Sequence, residues 1–375
     1  MKRIYLDNNA TTSLSTNVKR AMLEALELYG NASSMHTSGR EAGAAVEQAR
    51  EQVAKLIGAN PDEIIFTASG SETNNMILNS FDSIITSSIE HPSVFEVAKK
   101  KKSIFLPVDK NGNLKIKEVK STFEQTAHKN TLVSIMLANN ETGVIQDIKK
   151  IAKLAKKTGF LVHTDATQAV GKTPVDVNEL EVDYLTFSAH KIHGPKGVGA
   201  LYVRSGAPIA PLILGGHQEN NKRAGTINNL GIIGFGEAAK EAASLNMKKT
   251  KQLRDYLFEQ IKSKIDHIVI NTPLEDSLPN TLNISFLGAE GESILLALDA
   301  VGIEVSTGSA CASTSIEPSH VLMALHNDAE IAHGSVRFSL GPDTTKKDID
   351  YVIKNLPKAI ERLRKISTIN PKEVK

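Results

Sequence analysis

Short apolar runs that each stop at a polar or glycine-rich cluster, with helix-length segments between them, constrain this chain more than any other feature. Glu63-Ile64-Ile65-Phe66-Thr67 leads into Ser69-Gly70-Ser71-Glu72. Ser83 to Ile89 leads into Glu90-His91-Pro92, and Leu132 to Leu137 leads into Asn139-Asn140-Glu141. Phe160 to His163 ends at Asp165, and Asp183 to Phe187 ends at Ser188-Ala189-His190-Lys191. Unbroken apolar runs suit strands buried on both faces, and amphipathic segments such as Asp147 to Lys157 supply the covering helices. The pattern predicts an α/β layer fold with a mostly parallel sheet. Ligands of such sheets bind beyond the carboxyl ends of the strands, where each of these polar clusters falls.

Upstream, residues 16–58 read as two helices, closed near Gly30 and by Gly58. After about residue 245 the rhythm changes. A Lys-rich helix (Lys248 to Lys264) precedes strands at Ile268–Ile270 and Thr281–Phe286, a helix from Glu292 to Ala300, and strands at Ile303–Val305 and Val336–Leu340. The expected organisation is a large domain over 16–247 and a smaller α+β domain over 1–15 and 248–375.

Composition narrows the function. Cys311 is the single cysteine in 375 residues, which excludes an intramolecular disulfide framework, a CxxC zinc site and a self-contained thiolate cage for a cluster. Lys plus Arg is 44 and Asp plus Glu is 42, a net charge of +2 that gives no electrostatic case for nucleic acid or an anionic membrane. No secretory signal pattern or membrane-length apolar run is found, so a cytoplasmic location is expected.

Several clusters could carry chemistry. Ser69-Gly70-Ser71-Glu72-Thr73 stands between a strand and a helix expected to begin near Thr73, and converging N–H groups there suit a phosphate. The plainer alternative is an N-cap at Ser71 or Thr73. Ala166 to Thr173 is one residue short of a Walker A loop, but Pro174 and the strand-like Val175-Asp176-Val177 follow where that loop needs a helix. His190 and His193 are spaced like a metal pair, yet no carboxylate or further His is near them in sequence, and no metal is expected. Asp165 could cap a turn or face a ligand cation. Lys191, at a strand end before a Gly-rich bend, is placed to serve as an amine nucleophile. A phosphate cradle, a carboxylate for a ring nitrogen and a lysine for an aldehyde are the three anchors of pyridoxal 5'-phosphate, and His91 could stack on its ring.

The chain resembles the cysteine desulfurases, a pyridoxal-phosphate family within the class V aminotransferases. The resemblance implies an aspartate aminotransferase-like large domain (fold type I) plus a smaller α+β domain. The matching motifs run from Tyr5-Leu6-Asp7-Asn8-Asn9-Ala10-Thr11-Thr12 to about Pro342. They include Gly30-Asn31-Ala32-Ser33-Ser34, Glu90-His91, Asn139-Asn140-Glu141, His163-Thr164-Asp165-Ala166-Thr167-Gln168 and Ser188-Ala189-His190-Lys191. Val336-Arg337-Phe338-Ser339 matches too, and Ser306-Thr307-Gly308-Ser309-Ala310-Cys311 is similar to the NifS/IscS-like branch.

The resemblance implies roles. Lys191 would hold the cofactor aldehyde, Asp165 would pair with the pyridinium, and His91 would stack on the ring and move protons. Gln168 would bond the phenolic oxygen. Gly70, Ser71, Ser188 and His190 would hold the phosphate, with Thr226 donated across a homodimer interface. Asn140 and Arg337 would hold the substrate carboxylate, and Asn140 would also reach the cofactor. Cys311, in a run of small and mostly polar residues read as a mobile loop, would take sulfur from L-cysteine as a persulfide and leave L-alanine. An iron–sulfur scaffold protein or another acceptor would then receive the sulfur. The segment Gly215 to Arg223 departs from the family's pattern at His217, Asn220 and Asn221. Rival readings are a selenocysteine lyase, an aminotransferase of the same fold and a non-catalytic sulfur-relay partner.

Overall fold

The structure is a computed structural model that describes residues 3–126, 129–308, 317–369 and 371. Among the described residues, thirteen strands make three sheets. They are β1 (Ile4–Tyr5), β2 (Ile64–Thr67), β3 (Ser83–Ser87), β4 (Lys102–Leu106), β5 (Thr131–Ser134), β6 (Leu161–Asp165), β7 (Tyr184–Ser188), β8 (Gly199–Val203), β9 (Ile268–Ile270), β10 (Thr281–Phe286), β11 (Ile303–Glu304), β12 (Ser306–Thr307) and β13 (Ser335–Ser339).

The large sheet has seven strands in the order β2-β8-β7-β6-β5-β3-β4. It is parallel except for β8, which runs against both its neighbours. β2, β3, β5, β7 and β8 are buried at every position, as their apolar runs require. The sequence reading found neither the edge strand β4, whose outer positions are exposed, nor β8, which grows out of the Gly-rich bend after Lys191.

Four helices set up the site from the amino-terminal side. α1 (Thr16–Ala25) and α2 (Thr37–Leu56) are capped by the side chains of Ser15 and His36. α3 (Gly70–Asn79) begins three residues earlier than expected. Ser69, not Ser71 or Thr73, is its N-cap, with Oγ accepting from Glu72 N at 3.1 Å. α4 (Pro92–Lys99) has Pro92 in its first turn, where no amide proton is needed, and His91 as its N-cap. Residues 166–173, the Walker-like stretch, form turns, and the next helix starts only at Val177.

The second sheet is antiparallel, ordered β12-β13-β10-β9, and β1 pairs with β11 in a two-stranded parallel ribbon. Two large apolar cores correspond to these layers. One gathers residues from Val18 to Ala239 together with Leu278, and the other joins Ile4 and Leu6 to residues from Leu253 to Ile360. The segment after β1 crosses between them. Asn8 N donates to Ser339 O on β13, and Thr12 N donates to His190 O beside β7.

Candidate active site

The carboxyl ends of β3, β5, β6 and β7 carry the polar clusters, as strand polarity demands. Asp165 is the last residue of β6, and its two oxygens accept from Thr167 N (2.9 Å) and Asn74 Nδ2 (2.8 Å). Lys191 ends a single 3₁₀ turn after β7, and its Nζ donates to the carbonyls of Asn9 and Ala10. His91 follows β3 and accepts at Nδ1 from Ser93 N (3.1 Å). Burial lowers the His91 pKa against the pull of Asp165, and the charges of Lys191 and His320 lower it further.

At the start of α3, the first intrahelical bond runs from Thr73 N to Ser69 O, so the N–H groups of Gly70 and Ser71 precede the ladder. A Cβ placed on Gly70 would meet Thr167 Oγ1 at 3.5 Å and Ser188 Cβ at 3.8 Å, so these residues share one wall. His190 sets its Nδ1 3.2 Å from Thr11 Oγ1, and burial pushes its pKa down to about 4, which makes it a neutral ring. Thr226 lines a cavity of about 190 Å³ with Ala68, Glu219 and Arg223.

Arg337 sits inside β13, fully buried, and donates to Asp7 Oδ1 (2.7 Å) and Asn140 O (2.9 Å). Gln168 gives its amide N–H to Asn9 O (2.9 Å) and accepts from Lys172 Nζ (2.8 Å). Cys311 lies outside the described residues, whose nearer ends are Gly308 and Glu317.

Sequence reasoning missed four polar residues that knit this cluster together. Asn74 and Ser93 lie on α3 and α4, and Asn9 lies on the crossing segment. Lys172, set aside with the false Walker loop, is buried between Gln168 and Asn9. Burial, with the charges of Lys191 and Arg337, holds its pKa well below the usual lysine value. The usable signal for Asn74 was its place one turn after Gly70, on the face of α3 that meets the sheet.

Glu90 is also buried. Its Oε1 accepts from Ser87 Oγ (2.6 Å) and Met136 N (3.0 Å), while Oε2 has no partner among the described residues. Burial pushes its pKa up to about 8. Next to Asn140, Glu141 accepts from Ser319 Oγ, and burial raises its pKa to about 7.

This donor set fits pyridoxal phosphate. A helix N-terminus is offered to an anion, a carboxylate whose oxygens are already fixed faces the sheet's ligand crevice, and a lysine amine lies at the same strand ends. The fold and the fit define a pyridoxal-phosphate enzyme of fold type I.

Comparison with known proteins is more specific. The Aminotransferase class-V family model matches residues 4–352. Cysteine desulfurase IscS of Dictyoglomus turgidum is 49% identical, over 98% of this chain and 97% of its own length. A NifS-like protein from Rickettsia africae superimposes with a TM-score of 0.89 at 34% identity, covering 97% of this chain and all of that one. SspA solved in complex with cysteine gives a TM-score of 0.79 at 32% identity, over 91% of this chain and 99% of that one. The chain belongs to the class-V aminotransferase family and, within it, to the cysteine desulfurases.

Proposed function

We propose that this chain removes sulfur from L-cysteine with pyridoxal phosphate, leaving L-alanine and a persulfide on Cys311. The observation that carries the reading is the joint placement of Asp165, Lys191 and His91 at neighbouring strand ends, in a chain 49% identical to a named cysteine desulfurase. Bound there, the cofactor supplies an electron sink beside the substrate α-carbon. Asp165 holds the ring-nitrogen proton. Lys191 gives the amine that carries the aldehyde between turnovers. Gly70, Ser71, Ser188 and His190 hold the phosphate, and Gln168 turns toward the phenolic oxygen. Asn140 and Arg337 orient the substrate carboxylate, a task the planar guanidinium fork suits.

The Cys311 thiolate then attacks the substrate sulfur. An S–S bond forms, the substrate C–S bond breaks with its electron pair left on carbon, and protonation of that carbon completes L-alanine. No second cysteine exists in the chain to discharge the persulfide as an internal disulfide. The sulfur therefore leaves to an outside nucleophile, which we assign to an iron–sulfur scaffold protein or another sulfur acceptor.

The chain is further proposed to work as a homodimer. Leu23, Leu26, Tyr29, Met35 and Leu214 are all more than half exposed, an apolar surface that a second copy would cover, with Thr226 reaching the partner's phosphate. A division into 16–247 and 1–15 with 248–375 is proposed from the two cores. No helix of the described residues is long and apolar enough to cross a membrane, in keeping with the proposed cytoplasmic location.

The deciding experiment is Cys311→Ala. The variant should keep the yellow cofactor absorption and lose sulfide release and alanine formation from L-cysteine. Unchanged alanine formation would remove Cys311 from the reaction, and a colourless protein that takes up no pyridoxal phosphate would end the whole reading.

A further inference from the structure

A hydrogen-bonded chain links Asp165 to His91, and the direction of every proton along it is fixed. Asn74 Nδ2 carries two N–H groups; one goes to Asp165 Oδ2 at 2.8 Å and the other to Ser93 Oγ at 2.9 Å. Turning the amide over would set its oxygen against a carboxylate oxygen, so the donors must face this way. Ser93 Oγ therefore accepts from Asn74, and it lies 2.8 Å from His91 Nδ1. That Nδ1 accepts from Ser93 N at 3.1 Å, and because a backbone N–H can only donate, Nδ1 is the acceptor and the Ser93 hydroxyl proton points to it as well.

Two donors converge on Nδ1, so the single proton of the neutral ring is on Nε2. A second proton would have to enter at Nδ1 against both donors. The titratable groups around the ring are Asp165 on β6, which favours the charged form, and Lys191 after β7 and His320 on the helix His320–His326, which oppose it. His320 is itself held by Nε2 against Glu90 O at 2.9 Å.

We propose that Asn74 and Ser93 are positioning residues that lock His91 as a neutral ring with its proton on Nε2. His91 then serves the reaction as a fixed hydrogen-bond donor and does not collect the substrate's proton. This replaces the proton-moving role expected of it, and it rests on the desulfurase reading only for the identity of the reaction. A neutral imidazole that polarises its partner through an N–H is an effective electrophile. The arrangement also couples the two faces of the site, since one Asn74 amide orients both the Asp165 carboxylate and the Ser93 hydroxyl.

The test uses holoenzyme labelled with ¹⁵N in histidine, with the His91 signals assigned by their loss in His91→Asn. Between about pH 6 and 8 the ring should show an unprotonated Nδ1 and a protonated Nε2 without titrating. Ser93→Ala should move the ring toward mixed tautomers or bring its titration into that range, with kcat lower by about 3- to 10-fold, and Ser93→Thr should restore both. A charged ring, or a proton on Nδ1, in the unmodified enzyme overturns the lock. So does Ser93→Ala with unchanged ring signals. The locked signature in a protein that makes no alanine would uphold the lock while defeating the desulfurase reading, so the two failures are distinguishable.

Discussion

Arg50 and Arg337 are both buried and each meets a carboxylate, yet the two are used differently. Arg50 on α2 engages all three nitrogens of its guanidinium. Nη1 and Nη2 grip Glu219 at 2.8 and 2.7 Å, Nη1 also reaches Ile64 O, and Nε faces Glu47. Glu219 in turn accepts from Phe66 N at 2.8 Å. Arg337 makes one bond to Asp7 and one to Asn140 O, and its buried Nε has no partner among the described residues. A saturated guanidinium fixes structure. One with an idle donor is held ready for another acceptor, because a buried unpaired N–H persists only where something repays its desolvation.

The Arg50 clamp has a clear structural load. Glu219, Asn220 and Asn221 all have positive φ (47°, 53° and 65°), a left-handed run that costs about 1 kcal/mol or more per non-glycine residue. Glu219 anchors this run. Arg50→Ala should therefore give the largest loss of stability, about 3–5 kcal/mol in urea unfolding, since it strands a buried carboxylate and releases the strained run. The folded variant, saturated with cofactor, should keep its kcat/KM for L-cysteine. A fall in kcat/KM with unchanged unfolding would break the contrast.

Arg337→Lys probes the other side. The ammonium can still pair with Asp7 but cannot offer a planar fork, so kcat/KM should fall by about 100-fold, mostly through KM, which is about 2.7 kcal/mol. Its unfolding free energy should change less than that of Arg50→Ala. An unchanged KM would sink the carboxylate role and leave Arg337 a second structural clamp.

How far these positions could be read in advance depends on where they lie in the sheets. Parallel strands buried on both faces are written as apolar runs that stop at polar clusters, so Asp165, Ser188 and Lys191 stood out at the ends of β6 and β7. Arg337 sits in mid-strand between Val336 and Phe338, where only the resemblance marked it. Antiparallel β8 was hidden because direction leaves no trace in an apolar run, and β4 because an exposed edge strand dilutes the pattern. Asn74 and Ser93 were invisible for another reason. They act through partners 91 and 2 residues away, on helices whose sequence shows only which face is buried. The expected role of Cys311 rests on its sequence context and family match, since it lies outside the described residues.

Carboxylates divide as the arginines do. Glu219 has both oxygens engaged, whereas Glu90, fully buried, leaves Oε2 unpartnered among the described residues. Its pKa rises from 4.5 to about 8 because burial disfavours the charge. A group whose folded pKa is raised adds stability below its unfolded pKa, and that stability is lost as pH climbs through the folded value. The native state thus holds a proton that the unfolded chain has released, and stability should decline from about pH 4.5 to 8. Glu90→Gln resembles the neutral acid in shape and can still accept from Ser87 and Met136, so it should remove this slope. The two proteins should unfold at similar free energies near pH 4, and the variant should be the more stable by about 2 kcal/mol at pH 6. Other titrating groups, Glu141 among them, cancel in the difference between the two curves. Parallel curves across that range would mean that Glu90 is charged in the folded protein, and its idle oxygen would then need a partner that the contrast with Glu219 denies it.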